Sequence, residues 1–209
     1  MGYWDMETLS GWMLKDFSKN NNNWNIFWWI AVWWISWIRW KAIAFDWVDD
    51  YLSMPPAVND MSTSTYKTLS FWAKLKSNEG SFYISFADRI QDYKDSGWFS
   101  FGNGYVKLEY YPLGATVESF YYNIPDFKTD TWYNCTYVYK SWWNTSIYLN
   151  GLKVAEWIYT VNDIQTKVFN IGRQDNKGVI FKKGSVDEVR VYNRALSDAE
   201  ISVLYNSYK

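Results

Sequence analysis

Asp5 and Glu7 stand two residues apart in the opening run YWDME. On an extended strand, where successive side chains alternate, the two carboxylates share a face at roughly 6 to 7 Å. Paired carboxylates can act as nucleophile and acid/base of a retaining glycosidase, but that chemistry needs them about 5 to 5.5 Å apart. The spacing therefore favours an exposed acidic pair or metal ligands over catalysis. The chain has no histidine, which removes Ser-His-Asp and Cys-His nucleophile systems, histidine zinc sites and the usual general base near neutral pH. The single cysteine, Cys135, cannot form an internal disulfide, and in the run 132–140 it fits a small buried hydrophobe better than a nucleophile.

Aromatic residues are the other chemical resource, with 16 Trp, 18 Tyr and 12 Phe. Most belong to a core or to ordinary surface. Tyr105, Tyr110, Tyr111, Tyr121 and Tyr122 are candidates for stacking on a sugar face, on a concave sheet or at its rim. Eight tryptophans, Trp24, Trp28, Trp29, Trp33, Trp34, Trp37, Trp40 and Trp47, crowd into residues 24–47. The pairs Trp28-Trp29 and Trp33-Trp34, then Trp37 and Trp40, punctuate short apolar pieces as glycines punctuate hairpins. Read as Gly, the segment becomes ordinary strand-and-turn sequence. The codon UGA encodes Gly in some genetic codes and Trp in others, so one wrong translation table would account for all eight. These positions are expected to be turn glycines in the gene's own code. Trp4, Trp72 and Trp132 are taken as genuine, and Trp12, Trp98, Trp142, Trp143 and Trp157 stay open.

At 209 residues the chain suits one all-β domain. A net charge of −1 gives no electrostatic case for nucleic acid or an anionic membrane surface. Residues 26–38 are apolar for only about a dozen positions, short of the roughly 20 that span a bilayer. No charged n-region with an apolar h-region and cleavage site opens the chain, so a secretion signal is expected to be absent or already trimmed away. The Lys19 to Asn23 stretch is a polar loop to which no chemistry is assigned. Asn134-Cys-Thr136 and Asn144-Thr-Ser146 match the glycosylation acceptor pattern, which has meaning only in a eukaryotic secretory setting.

The elements that must position these residues are strands. Leu69, Phe71, Ala73 and Leu75 alternate with Ser70, Trp72 and Lys74, so each strand is expected to have one core face and one wetter face. Phe82, Ile84 and Phe86, and Val106, Leu108 and Tyr110, repeat the pattern. Further strands are predicted at 132–139, 146–149, 152–157, 168–171 and 184–192, with Asn150-Gly151 as a type I′ turn. Two packed antiparallel sheets follow. Ser197-Asp198-Ala199-Glu200 is a capping box, and Ile201, Leu204, Tyr205 and Tyr208 follow at helical spacing, which predicts a short closing C-terminal helix.

The run GSVDEVRVYNRALSDAEI at 184–201 closely resembles the ending of LamG-like (laminin G-like) jelly-roll domains of the concanavalin A-like lectin/glucanase superfamily. YWDME as first strand, AFDWVDDY at 44–51, LSFW at 69–72, IYLNG at 147–151 and IGR at 171–173 resemble other parts of that pattern, in order. The pattern has Gly where Trp47 stands, which agrees with the codon reading. The resemblance implies a single jelly-roll sandwich over 1–209. It also implies a structural Ca²⁺ held by Asp187 with Asp5 or Glu7, which suits a cation that takes six to eight oxygen ligands. Against this, Asp187 could pair with Arg190 or cap a turn. The glucanases of the superfamily resemble one another in a Glu-x-Asp-x-x-Glu strand, and this chain has none. The expected function is a non-catalytic carbohydrate- or protein-binding, adhesion module of an extracellular or surface protein, excised from a larger multidomain chain. Its expected partner is a glycan or an extracellular protein. The alternatives are a glycoside hydrolase, disfavoured by the missing carboxylate motif, and a membrane-inserting protein using residues 26–38.

Overall fold

The computed structural model describes residues 2–5, 8–10, 13–18, 23–27, 31–33, 42–45, 51–53, 66–77, 81–87, 96–111, 118–140, 144–158, 168–172 and 184–208. The strands run β1 (Gly2–Trp4), β2 (Leu9–Ser10), β3 (Met13–Leu14), β4 (Trp24–Phe27), β5 (Ala31–Trp33), β6 (Ala42–Phe45), β7 (Tyr51–Ser53), β8 (Tyr66–Leu75) and β9 (Ser81–Ala87). They continue with β10 (Ser96–Gly102), β11 (Tyr105–Tyr111), β12 (Glu118–Asn123), β13 (Tyr133–Lys140), β14 (Asn144–Leu149), β15 (Leu152–Ile158), β16 (Val168–Ile171) and β17 (Gly184–Tyr192), and helix α1 (Asp198–Asn206) closes the order. One antiparallel sheet has eight strands, ordered β15-β14-β13-β8-β17-β6-β5 with β1 on β17. The other has nine, ordered β12-β11-β10-β9-β16-β7-β4-β3-β2.

Register explains the core. Leu52, Ile171, Ile84, Phe99, Leu108 and Phe120 are successive cross-strand partners from β7 to β12, and all six are buried. In the facing sheet Ile147, Tyr137, Leu69 and Val191 form the matching row. Both rows belong to one cluster, as the two-residue side-chain period requires of a sandwich. Two edges meet where Phe120 of β12 stacks on Trp157 of β15, with centroids 6.2 Å apart.

The expected wetter face of β8 is dry. Ser70, Trp72 and Lys74 are all buried: Tyr205 of α1 stacks on Trp72 at 5.6 Å, the Thr136 hydroxyl donates to Ser70 Oγ at 2.8 Å, and Lys74 Nζ lies 5.3 Å from the Trp132 ring centroid. The helix starts as its sequence predicts: Ser197 Oγ accepts from Glu200 N–H, and Glu200 Oε2 accepts from Ser197 N–H at 2.8 Å. Ile201 and Leu204 seal a second small cluster with Val138, Tyr148 and Leu196.

Asn150 (φ 51°) and Gly151 (φ 78°) take the two left-handed positions of the predicted turn between β14 and β15. Asn103 (φ 51°) and Gly104 (φ 76°) repeat it between β10 and β11, a second Asn-Gly turn. The chain's entry differs from expectation. Strand β1 ends at Trp4, so Asp5 lies past the strand, and Glu7 lies outside the described residues. Asp5 Oδ1 accepts from Thr8 N–H at 3.1 Å and its Oδ2 from the Thr8 hydroxyl at 3.0 Å. A short acidic side chain that satisfies nearby backbone donors competes with strand extension.

Trp24 and Trp33 also depart from expectation, since they lie within β4 and β5 and not in turns. Trp28, Trp29, Trp34, Trp37, Trp40 and Trp47 lie outside the described residues. Of residues 26–38, the described ones belong to strands of two different sheets, and no helix among the described residues is long and apolar enough to cross a membrane.

Candidate functional site

The outer face of the nine-stranded sheet, at β10 to β12, combines rings with opposite charges. Val106 and Leu108 point into the core, so Tyr105, Lys107 and Glu109 occupy the outer side of β11. On β12, Phe120 is core, which puts Ser119, Tyr121 and Asn123 outside. Register aligns Tyr121 with Lys107 and Ser100, Asn123 with Tyr105 and Gly102, and Ser119 with Glu109 and Trp98. The last row continues through Ser85 to Asn170.

Tyr121 is 60% exposed and stands edge-on to Tyr105, with centroids 6.5 Å apart at 64°. Lys107 Nζ donates to Glu109 Oε1 at 2.7 Å. The Asn103-Gly104 turn aims this hairpin, and the Ile124 N–H bond to Gly104 O at 2.7 Å fixes the departure of β12 from it. A half-exposed ring beside a fixed donor and acceptor can stack on an apolar sugar face while the polar pair orients its hydroxyls.

Of the five tyrosines proposed for stacking, this surface brings together Tyr105 and Tyr121. Tyr122 packs against the core. Tyr110 and Tyr111 belong to β11, with side chains outside the described residues. Lys107 and Glu109 were legible only as the polar partners of an alternating strand.

Of the expected metal ligands, Asp5 and Asp187 are among the described residues. Among the described residues no group of three or more His, Cys, Asp or Glu side chains could hold a metal ion. Asp5 is engaged by Thr8, and Glu7 lies outside the described residues. Asp187 is buried, and its Oδ1 accepts from Glu188 N–H at 2.8 Å. That bond sits at a bulge in β17, where Glu188 takes φ 51°. A buried carboxylate oxygen suits calcium as a donor, and β1, which leads into Asp5, pairs with β17 through Trp4 and Val189. Asp16, an acid to which no role was assigned, is buried and accepts from Tyr3 N–H at 3.0 Å and Ser18 N–H at 2.8 Å, joining β1 to the segment after β3.

Beside the bulge lies a buried polar centre. Glu188 Oε2 accepts from Arg190 Nη2 and from the Tyr208 hydroxyl, each at 2.7 Å, and Arg190 Nη2 also donates to the Tyr208 oxygen. The Arg190 guanidinium lies 4.2 Å from the Tyr3 ring centroid. Burial pushes the Tyr208 hydroxyl up to about 12, with the Glu188 hydrogen bond acting the same way. Asp187 and Glu188, 2% and 3% exposed, are adjacent carboxylates shut away from any substrate. Cys135 is wholly buried, and burial raises its thiol pKa, so no nucleophile is offered there. Asn134 is also buried, its Nδ2 donating to Phe71 O at 3.3 Å, which closes that glycosylation pattern in the folded chain. Asn144 lies in β14 with its side chain outside the described residues.

The Laminin_G_3 family model, described as Concanavalin A-like lectin/glucanases superfamily, matches residues 46–202. No curated protein matches the chain as a relative. Among solved structures, the receptor binding domain of botulinum neurotoxin C/D mosaic serotype superposes with a TM-score of 0.78 at 14% identity, over 99% of this chain and 50% of that one. The botulinum neurotoxin serotype D ligand binding domain in complex with N-acetylneuraminic acid gives 0.77 at 13% identity, over 99% and 50%. The binding domain of botulinum neurotoxin DC in complex with rat synaptotagmin II gives 0.72 at 12%, over 100% and 51%. The chain thus spans about half the length of the structures it resembles, and at these identities the likeness is one of fold. With the family match over most of its length and a two-sheet antiparallel sandwich closed by one short helix, the chain belongs to the laminin G-like domains of the concanavalin A-like lectin/glucanases superfamily.

Proposed function

We propose that this domain is a non-catalytic binding module that takes a carbohydrate on the outer face of β10 to β12. The observation that carries the reading is the pairing of Tyr105 and Tyr121 with the Lys107–Glu109 ion pair on one face. Fold neighbours solved with N-acetylneuraminic acid and with synaptotagmin II are consistent with a binding role on this scaffold for glycan or protein. The superfamily includes glucanases, but Glu109 is held by Lys107 and the Asp187-Glu188 pair is buried, so neither offers an open carboxylate couple for glycoside hydrolysis. An extracellular or surface setting within a larger protein belongs to the same proposal, as does a structural calcium built on Asp187.

Glycan-array binding and isothermal titration test it. The parent is expected to retain a carbohydrate without cleaving it, and Tyr121→Ala to weaken binding about tenfold or more, the loss of about 1.4 kcal/mol. Hydrolysis of the bound glycan, or binding indifferent to Tyr121, would overturn the assignment.

A further inference from the structure

We infer that the carbohydrate taken by this face is neutral and that acidic sugars are turned away, an inference that rests on the glycan-binding reading above. An ammonium without a counter-charge would attract the carboxylate of a sialic or uronic acid. Lys107 instead spends its charge on Glu109, 2.7 Å away, with the two side chains 25% and 20% exposed. Any sugar carboxylate that came within reach of Lys107 Nζ would also lie beside Glu109, and like charges at such separations repel. The pair thus supplies a repulsive element against one ligand class, which selects as effectively as a new attraction does.

The same pair suits uncharged hydroxyls. The ammonium is a pure donor and the ionised carboxylate a pure acceptor, whereas a sugar hydroxyl is both. Neighbouring hydroxyls can accept from Lys107 and donate to Glu109 with charge-assisted bonds. The ring that would hold the sugar is close by, because Tyr121 is the cross-strand partner of Lys107, about 5 Å away across the ladder. Ser119 and Asn123, both exposed on β12, add neutral donors and acceptors on either side of Tyr121. No described side chain of this patch brings a cation without a partner: its one lysine is Lys107.

The test uses an array of matched glycans, each neutral chain printed beside the same chain ending in sialic or glucuronic acid. The parent protein is expected to bind the neutral member at least about tenfold more tightly, with an affinity that does not change from low to high salt. Glu109→Gln releases Lys107 and is expected to narrow or reverse the preference, with a melting curve matched to the parent as a control. A parent that prefers the acidic member, or a neutral affinity that falls steeply with salt, would overturn the inference while leaving glycan binding intact. A Glu109→Gln protein that folds and keeps the parent's ratio would do the same. Absence of binding to every glycan would remove the underlying reading as well.

Discussion

The Tyr208 hydroxyl donates a 2.7 Å hydrogen bond to Glu188 Oε2, tying the residues after α1 to the bulge of β17. Glu188 holds a left-handed backbone, φ 51°, which an L-residue adopts only at a cost and which surrounding contacts must enforce. Its carboxylate is enclosed by Arg190 and Tyr208, and Arg190 in turn lies over Tyr3 of β1. First strand, last strand and helix end therefore close on one buried charge.

Removing the partners one at a time separates their contributions. Tyr208→Phe keeps the ring but takes a donor from a charged acceptor, and is expected to lower stability by about 1.5 to 3 kcal/mol. Glu188→Gln leaves the Arg190 guanidinium without its counter-charge and is expected to cost about 3 to 5 kcal/mol. Urea unfolding checks both; equal, negligible shifts in the midpoint would mean that α1 and β1 are held by apolar packing alone.

Acid should loosen the helix through different residues. The Tyr148 hydroxyl donates to Asp198 Oδ1 at 2.7 Å and holds that carboxyl below its ordinary value. Arg194, then the Ser197 donors, hold Glu200 down at about 2 from 4.5. A carboxyl with a depressed folded pKa stabilises fully above its unfolded pKa and loses that contribution as the pH falls through the folded value. The unfolding midpoint is thus expected to fall as the pH drops from 4.5 towards about 2, and Tyr148→Phe to flatten the Asp198 part of the decline. An unchanged acid limb in that variant would show that Asp198 gains nothing from the contact.

Where local chemistry and global packing agree, the sequence is readable. The capping box, the Asn150-Gly151 turn and the span of β17 need only short-range rules, and each is found as expected. The polar face of β8 misled because burial there is decided by partners far along the chain: Thr136 for Ser70, Trp132 for Lys74 and Tyr205 of α1 for Trp72. Asp5 misled because alternation ignores the hydrogen bonds a short acidic side chain can make to its own turn. The binding face was half legible: tyrosines at alternating positions were visible, but that Tyr105, Lys107 and Tyr121 adjoin depends on the register between β11 and β12.

The tryptophan cluster divides by position. At Trp28, Trp29, Trp34, Trp37, Trp40 and Trp47 a return to Gly is expected to raise the melting temperature, since the sequence pattern asks for turns that Gly enters without steric penalty. Trp24 and Trp33 sit in strands, where Gly costs about 0.5 to 1 kcal/mol, so restoring those two should add nothing. Codon sequencing tests the origin: UGG at these positions would end the reassignment reading, and equal solubility of both versions would end the structural one.

Calcium provides the last test, through Asp187. Its buried carboxylate already accepts from Glu188 N–H, and a hard oxygen donor of this kind is what Ca²⁺ uses. A cation that binds only the native state adds RT ln(1 + [L]/Kd), about 2.7 kcal/mol at a hundredfold excess over Kd, which raises the melting temperature by several degrees in a domain of this size. Asp187→Asn keeps an oxygen to receive Glu188 N–H while removing the charge, so the variant is expected to fold and to lose most of the calcium-dependent shift. Asp5→Asn also keeps an acceptor for Thr8 N–H, and it tests whether Asp5 rather than Glu7 is the companion of Asp187. Parent, Asp187→Asn and Asp5→Asn are melted with calcium and with chelator. Parent curves that coincide in the two conditions remove the metal site, and a shift abolished by Asp5→Asn instead moves it to the chain's opening turn.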